Sequence, residues 1–185
     1  MSQERYEIRL SGAGGQGLIT AGIILAEAAA IYEDINAIQT QSYGPEQRGG
    51  ASKADVVISR GAIDYPKVIR PQVLLAMNQE SASKYAGGLK EDGILILDST
   101  YVSEKPPVDA KVYEFPISSV AREQLGREIV ANIIALGVIC GLTDVVSRDA
   151  IEKAVLDRVP KGTEDLNKRA LAAGFEMAAS SRKAD

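Results

Sequence analysis

The sequence contains no histidine, and it has a single cysteine, Cys140. The absence of histidine excludes Ser-His-Asp triads, histidine-activated cysteine nucleophiles and HExxH zinc sites. One cysteine cannot form a disulfide within the chain, and it cannot hold a zinc ion or an iron–sulfur cluster by itself. This cysteine usage fits a reducing compartment, so we expect a cytoplasmic protein.

The sequence also lacks long hydrophobic runs and an excess of positive charge. Its longest nearly uncharged run, IVANIIALGVICGL at residues 129–142, is shorter than the roughly 20 residues that span a bilayer. This run predicts a buried core helix, and the charged N-terminal sequence MSQERYEIRL does not resemble a signal peptide. Because the net charge is −4 and no basic stripe is present, we expect neither a membrane nor a nucleic acid as a partner.

The hydrophobic pattern predicts alternating strands and helices. We expect strands at residues 6–10, 36–39, 54–59, 73–77, 93–99 and 111–115. Helices are expected at 19–32, 81–89, 119–142 with a restart near Gly126, 147–159 with Ser147 as N-cap, and 163–180 with Thr163 as cap. This alternation predicts a three-layer α/β/α sandwich with a largely parallel sheet and a Rossmann-like first βα unit. We expect one domain over residues 1–180 and a frayed tail at 181–185.

A glycine cluster follows the first predicted strand. Gly12, Gly14 and Gly17 match the pattern G-x-G-x-x-G, and Gly15 adds a further glycine. Such a turn lets a phosphate approach the backbone N–H groups at a helix N-terminus. The acidic residue that a dinucleotide site needs at the end of the second strand is missing, since Asp34 precedes that strand. Dinucleotide binding, a purely structural turn and an anion site all remain open at this point.

A second cluster lies in the segment TQSYGPEQRGGAS, residues 40–52, which has no hydrophobic periodicity and is predicted to be a loop. Its Arg48 has Glu46 nearby and is followed by Gly49 and Gly50. Arginine presents a planar fork that suits phosphate or carboxylate. One interpretation is that Arg48 only orders the loop; the other is that the loop faces an anionic ligand or a partner subunit.

Three further residues favour structural roles. Asn132 lies in an apolar helix, where we expect its side chain to bond a backbone group. Cys140 is expected to be a small core residue. Asp98 lies at the end of a buried strand, where it could contact a ligand but is expected to act as a turn residue or a helix cap.

The blocks GAGGQG, QSYGPEQRGGASKADVVIS and VANIIALG occur in this order along nearly the whole chain. Together they resemble the gamma subunit of the 2-oxoacid:ferredoxin oxidoreductases. The form YGPEQRGGAS is most similar to the 2-oxoglutarate type. Pyruvate, branched-chain and indolepyruvate types remain alternatives, because the side chain of the 2-oxoacid is expected to be read by another subunit.

The resemblance implies a subunit of an enzyme that converts a 2-oxoacid and coenzyme A into an acyl-CoA, carbon dioxide and reduced ferredoxin. It implies that thiamine diphosphate with Mg²⁺ and the 4Fe-4S clusters are held by partner subunits of alpha, beta and delta type. This chain would then hold no cofactor or metal alone, would carry no catalytic residue, and would be inactive by itself. The isolated chain could form a homodimer, because an interface meant for other subunits would be left open.

The resemblance also assigns candidate binding residues. The glycine motif falls on Gly12, Gly14, Gly15, Gln16 and Gly17, and the loop motif falls on Tyr43, Gly44, Glu46, Arg48, Gly49 and Gly50. We expect both to face the thiamine and coenzyme A region, where they contact coenzyme A phosphates or dock the catalytic subunits. The alternatives are a free-standing protein that binds a dinucleotide or flavin, and a scaffold piece without a role in turnover.

Overall fold

The computed structural model describes residues 5–42 and 51–183. Within these residues six strands form a single sheet: β1 (Arg5–Ala13), β2 (Asn36–Ser42), β3 (Ala51–Ser59), β4 (Val73–Ala76), β5 (Gly93–Asp98) and β6 (Ala110–Phe115). Their order across the sheet is β2-β3-β1-β4-β5-β6. Strand β3 runs antiparallel to both of its neighbours, and the remaining pairs are parallel. Five of these strands therefore point in one direction and only β3 is reversed.

Six α-helices connect and cover the strands in the described part of the chain. They are α1 (Leu18–Tyr32), α2 (Gln79–Tyr85), α3 (Ile117–Glu123), α4 (Ala131–Thr143), α5 (Arg148–Arg158) and α6 (Glu164–Arg182). Short 3-10 turns follow α2 at Ala86–Gly88 and precede α4 at Glu128–Val130. None of the helices within these bounds is both long and apolar enough to cross a membrane.

The two faces of the sheet are covered unequally. Ile8, Leu10 and their neighbours pack with α1 and with the helices α3 to α6 in the larger core. On the other face Leu74, Leu95 and Leu97 pack under α2 in a smaller core. Consecutive side chains along each strand point to opposite faces of the sheet. Because both faces are covered by helices, the sheet has a core on each side. The predicted three-layer sandwich with a largely parallel sheet is confirmed.

A polar network fastens the connection between β3 and β4 to the sheet. The Glu7 carboxylate is 6% exposed, and it accepts hydrogen bonds from Arg5 Nε at 2.7 Å and from the backbone N–H groups of Ile69 and Arg70 at 2.9 Å. The backbone N–H of Glu7 donates to Gln72 Oε1 at 2.7 Å. A buried carboxylate with these donors is fully paired, so it holds the connection without the cost of an unpaired charge.

Several element boundaries differ from the sequence prediction. The predicted loop at 40–52 is strand at both ends, because β2 continues to Ser42 and β3 begins at Ala51. The helix predicted at 119–142 is divided into α3 and α4, and Gly126 lies between them with a φ of 76°. The predicted restart is thus confirmed.

The predicted caps have different outcomes. Ser147 caps α5 as predicted, since its side chain accepts a hydrogen bond from the backbone N–H of Ala150. Thr163 precedes α6 but makes no capping bond, because its hydroxyl donates to the carbonyl of Pro160 instead. Helix α6 continues to Arg182, two residues into the segment expected to fray, where the guanidinium bonds the carbonyl of Leu142 at 2.9 Å.

Candidate functional site

The carboxyl ends of the parallel strands and the start of β3 lie at one edge of the sheet, called here the carboxyl edge. The glycine turn at residues 12–17 begins in the last two residues of β1 and leads into α1 at this edge. Gly12 is paired with Ser52 and Ala13 with Ala51, so the first residues of β3 lie beside the turn. In open α/β sheets this edge is where ligands bind.

The predicted loop residues Tyr43, Gly44, Glu46, Arg48, Gly49 and Gly50 lie outside the described residues. The strands on either side of this segment are described, and they end and begin at the carboxyl edge with Ser42 and Ala51. The two predicted motifs are therefore connected to neighbouring strands at the same edge. The binding role of the loop residues stays a prediction.

Gln16 braces the glycine turn from inside. Its Oε1 accepts a hydrogen bond from the backbone N–H of Ala13 at 2.7 Å, and its Nε2 donates to the carbonyl of Met77 at 3.4 Å. The backbone N–H of Gln16 donates to the Ala13 carbonyl at 3.3 Å. The side chain that the motif assigns to binding thus holds the turn against Met77, the residue after β4.

The glycines of the turn serve two different purposes. A Cβ atom on Gly12 would meet Leu18 Cδ1 at 2.7 Å and Met77 Cβ at 3.0 Å, so packing favours glycine there. A Cβ atom on Gly17 would meet Asn132 Nδ2 at 2.7 Å, and the φ of 73° at this residue also favours glycine. Gly14 and Gly15 are exposed, and a Cβ atom on either would meet nothing within 4 Å. These two glycines leave open backbone at the carboxyl edge, and Gly15 also has a φ of 89°, which favours glycine by itself.

The start of α1 has neither a capping side chain nor an acidic residue to interact with its free backbone N–H groups. Gly17 occupies the N-cap position with a φ of 73°, no side chain caps the helix, and its first turn contains no acidic residue. The backbone N–H groups of a helix start carry partial positive charge and favour an anion. Asn132 Nδ2 donates to the Gly17 carbonyl at 3.1 Å, which confirms the structural role predicted for Asn132.

The order of the strands bears on dinucleotide binding. In a dinucleotide-binding fold the second strand lies next to the first, and its terminal acid reaches the ribose. Here β3 lies between β1 and β2, which places β2 two strand spacings, about 10 Å, from β1. Asp34 lies before β2 with a φ of 55°, at the edge of the sheet away from the turn. The arrangement therefore does not bring an acid to the glycine turn from the second strand.

Two other predicted structural residues behave as expected. Asp98 is fully buried, and its carboxylate accepts hydrogen bonds from the backbone N–H groups of Thr100 at 3.1 Å and Ser118 at 3.2 Å. It therefore orders the turn after β5 and the start of α3. Cys140 is buried in α4, and burial raises the pKa of its thiol well above the ordinary range, so it is neither a nucleophile nor a metal ligand.

The described residues include no group of three or more cysteine, aspartate or glutamate side chains that could hold a metal ion. They do include a cleft that the sequence analysis missed, and it begins beside the glycine turn. The cleft has a volume of about 250 Å³ and lies between α1, the start of α4 and the connection from α5 to α6. Its polar lining includes Arg127, Asn132 and Asn167. Only Asn132 carried a sequence signal, as a polar residue in an apolar run.

The fold and the turn define a class of protein: an α/β sandwich domain in which no acid of the described second strand reaches the glycine turn. Comparison with known proteins then gives the family. A model of the pyruvate ferredoxin/flavodoxin oxidoreductase family matches residues 7–177. The 2-oxoglutarate synthase subunit KorC of Methanocaldococcus jannaschii is 51% identical over 176 residues, which cover 94% of each chain.

Solved structures agree with this match. The gamma subunit of a keto/oxoacid ferredoxin oxidoreductase from Geobacter sulfurreducens is 52% identical, with a TM-score of 0.90 over 96% of this chain and 98% of that one. The 2-oxoglutarate:ferredoxin oxidoreductase of Magnetococcus marinus has a TM-score of 0.86 over 97% of this chain and 32% of that one. At 21% identity the second likeness concerns the fold alone. The chain belongs to the pyruvate ferredoxin/flavodoxin oxidoreductase family, as a gamma-type subunit of an oxidoreductase.

Proposed function

We propose that this chain is the gamma subunit of an enzyme that oxidatively decarboxylates 2-oxoglutarate. With coenzyme A, the assembled enzyme would produce succinyl-CoA, carbon dioxide and reduced ferredoxin. The observation that carries this proposal is the identity of about half over nearly the full length of the KorC subunit and of the Geobacter gamma subunit. Such identity over whole chains favours the 2-oxoglutarate type over the pyruvate and branched-chain types.

In this proposal the chemistry takes place on partner subunits. The whole sequence has no histidine and one cysteine, and that cysteine is buried, so the chain offers no ligand set for an iron–sulfur cluster. Subunits of alpha, beta and delta type would hold thiamine diphosphate, Mg²⁺ and the 4Fe-4S clusters and would pass electrons to ferredoxin. The gamma subunit would contribute a binding and docking surface. Without its partners we expect it to be inactive, and it could form a homodimer.

The carboxyl edge is the surface we assign to that role. Gly14 and Gly15 present open backbone there, and the uncapped start of α1 favours an anionic group. Arg48 belongs to the segment that joins β2 to β3 at the same edge. We infer that the backbone at residues 12–17, together with Arg48, contacts coenzyme A phosphates or the subunit that carries the thiamine.

The test is co-expression of this chain with its partner subunits, followed by an assay of viologen dye reduction that depends on 2-oxoglutarate and coenzyme A. We expect activity only when all subunits are present, and faster turnover with 2-oxoglutarate than with pyruvate. Activity without this chain, or a preference for pyruvate, would contradict the proposal. A homodimer that binds NAD or carries a flavin without partners would support the free-standing alternative instead.

Arg48→Ala in the assembled complex tests the loop. If Arg48 contacts a coenzyme A phosphate, its removal should raise the KM for coenzyme A by about tenfold or more, because one charge-assisted hydrogen bond is lost. Arg60→Ala is the matched control, because Arg60 is exposed after the end of β3 at the opposite edge. If both variants retain the wild-type KM and assemble normally, neither a substrate role nor a docking role for Arg48 stands.

A further inference from the structure

The side of the sheet that faces α2 is only partly covered. Helix α2 packs over β4 and β5, where it closes the smaller core. Beyond Tyr85 at its end, no helix in the described part of the chain packs on β3 and β2 from this side. On this side of β2, Ile38 and Thr40 are half-buried and Ser42 is exposed. This uncovered part of β2 and β3 is called here the open face.

Basic side chains converge on the ring of Tyr85 at the border of the open face. Arg9 Cζ lies 5.3 Å from the ring centroid, Lys84 Nζ lies at 5.5 Å, and Lys53 Nζ lies at 5.8 Å. A cation within about 6 Å of an aromatic ring is attracted by its negative face. The ring therefore holds together three positive charges that repel one another.

A single carboxylate pairs with these cations in the described part of the chain. Asp55 accepts hydrogen bonds from Arg9 Nε at 2.8 Å and Arg9 Nη2 at 2.9 Å, and it lies 3.4 Å from Lys53 Nζ. Lys84 is exposed and has no ion pair within those residues. Three cations and one anion leave this group with a net charge of +2, although the whole chain has a net charge of −4.

The uncompensated positive charge is available to an anion from outside the chain. Asp55 is 6% exposed, and its oxygens are used by Arg9 and Lys53. Thr40 is the cross-strand partner of Asp55 and Ser42 is that of Lys53, so their hydroxyls lie on the same side of the sheet as further donors. A second copy of the chain would present the same positive charge, which disfavours self-association through this face.

We propose that the open face docks an acidic segment of a partner subunit. Carboxylates of that segment would lie against Lys53 and Lys84, and its other acceptors would receive hydrogen bonds from Thr40 and Ser42. Small ligands bind in concave pockets, whereas an open sheet face suits a protein segment that extends across several strands. This inference rests on the proposed function only because it requires partner subunits. The open face lies on the opposite side of the sheet from α1 and its cleft.

Carbodiimide cross-linking of the assembled complex tests the contact directly. The reagent joins a lysine amine to a carboxylate that already touches it, and it adds no spacer. Mass spectrometry should therefore find Lys53 or Lys84 joined to an aspartate or glutamate of another subunit. The proposal is overturned if both lysines remain unlinked, or if they are joined only to carboxylates of this chain or of a second copy of it.

Competition for incorporation measures what the contact contributes. The partner subunits are co-expressed with equal amounts of wild-type and variant gamma chains that carry different tags. Lys53→Gln combined with Lys84→Gln should be incorporated about five- to tenfold less than the wild type, because two intersubunit ion pairs are lost. Lys168→Gln is the matched control, because Lys168 is exposed on α6, and it should be incorporated equally. Equal incorporation of the double variant would refute the docking site.

Lys84→Glu keeps the test independent of folding at residue 53. Lys84 is exposed, so this variant should fold, and its incorporation should fall because a carboxylate would then face the partner's carboxylates. Wild-type incorporation of Lys84→Glu would contradict the inference. An active complex without the cross-link would refute this inference and leave the proposed function standing. A cross-linked complex that does not turn over 2-oxoglutarate would do the reverse.

Discussion

At the scale of single residues, the glycine turn contains two kinds of glycine. Some are closely packed against neighbouring side chains, and others leave their backbone open to a ligand or partner. Its spacing in the sequence predicted a strand, a tight turn and a helix, and all three are present. The sequence could not show which glycines are needed for packing, because that depends partly on Met77 and Asn132, which come from distant parts of the chain. The spacing also matches a dinucleotide motif, although the strand order does not. The glycine spacing therefore predicted the strand, turn and helix, but it did not predict which ligand or neighbouring strand lies beside the turn.

Gly12→Ala and Gly14→Ala form a matched pair that tests this division. A methyl group at residue 12 would collide with Gln16 Oε1 and with Leu18 Cδ1, so we expect the free energy of unfolding to fall by about 1–3 kcal/mol. The same change at residue 14 meets open space and should alter stability by no more than about 0.5 kcal/mol. Urea unfolding of the isolated chain measures both.

The same pair separates folding from function in the assembled complex. If the open backbone at Gly14 contacts a ligand or a partner, a larger side chain such as leucine there should reduce turnover while the chain remains fully folded. Equal stability losses at residues 12 and 14 would show that the turn is packed throughout. The assignment of Gly12 to packing and Gly14 to open backbone would then be wrong.

At the scale of elements, α4 and α6 approach each other backbone to backbone. A Cβ atom on Gly137 would lie 3.0 Å from the Cα of Gly174 and would also collide with the carbonyl of Leu171. The sequence predicted both helices, and the apolar run at 129–142 was correctly assigned to the core. It could not predict that these glycines face each other, since hydrophobic periodicity describes one helix at a time.

Gly137→Ala should therefore destabilise the chain although alanine favours helices. The helical preference is worth about 1 kcal/mol in favour of alanine. Separating two closely packed helices costs more, so we expect a net loss of about 1–3 kcal/mol in the free energy of unfolding. Gly87→Ala is the control, because Gly87 is exposed in a 3-10 turn and has no atom within 4 Å of its missing Cβ. A stabilised Gly137→Ala variant would mean that the two helices can separate at little cost.

At the scale of the whole molecule, the alternation of strands and helices predicted the sandwich but not the reversed strand. Strand direction has no local signature in hydrophobic periodicity. The length of the connection could have predicted the direction of β3. Parallel neighbours need a crossover of a dozen or more residues, whereas only residues 43–50 join β2 to β3. The cleft was not predictable in this way, since its lining comes from four separate elements whose packing the sequence does not specify.

The pH dependence of global stability follows from buried groups. Burial raises the pKa of the Cys140 thiol, and it raises the pKa of Tyr6 to about 12. In the unfolded chain the thiol ionises near pH 8.5, whereas in the folded chain it stays protonated. Its contribution to stability is therefore complete below about pH 8.5 and is lost as the pH rises; Tyr6 adds a further loss above about pH 10.

Cys140→Ala isolates the thiol from every other group. The difference in unfolding free energy between wild type and Cys140→Ala should change by about 2 kcal/mol between pH 7 and pH 10, to the disadvantage of the wild type. Urea unfolding at several pH values measures this change. A constant difference across that range would show that the thiol titrates at its ordinary value in the folded chain.

The central position of β1 affects how the chain folds during synthesis. This strand is made first, yet both of its neighbours, β3 and β4, are made later, and its Glu7 is bonded to residues 69–72. Loop closure over such separations costs entropy before any pairing compensates for it. We expect nascent chains that end before β4 to leave the apolar face of β1 exposed to chaperones. Strand β1 therefore completes its pairing only after β4 has been made.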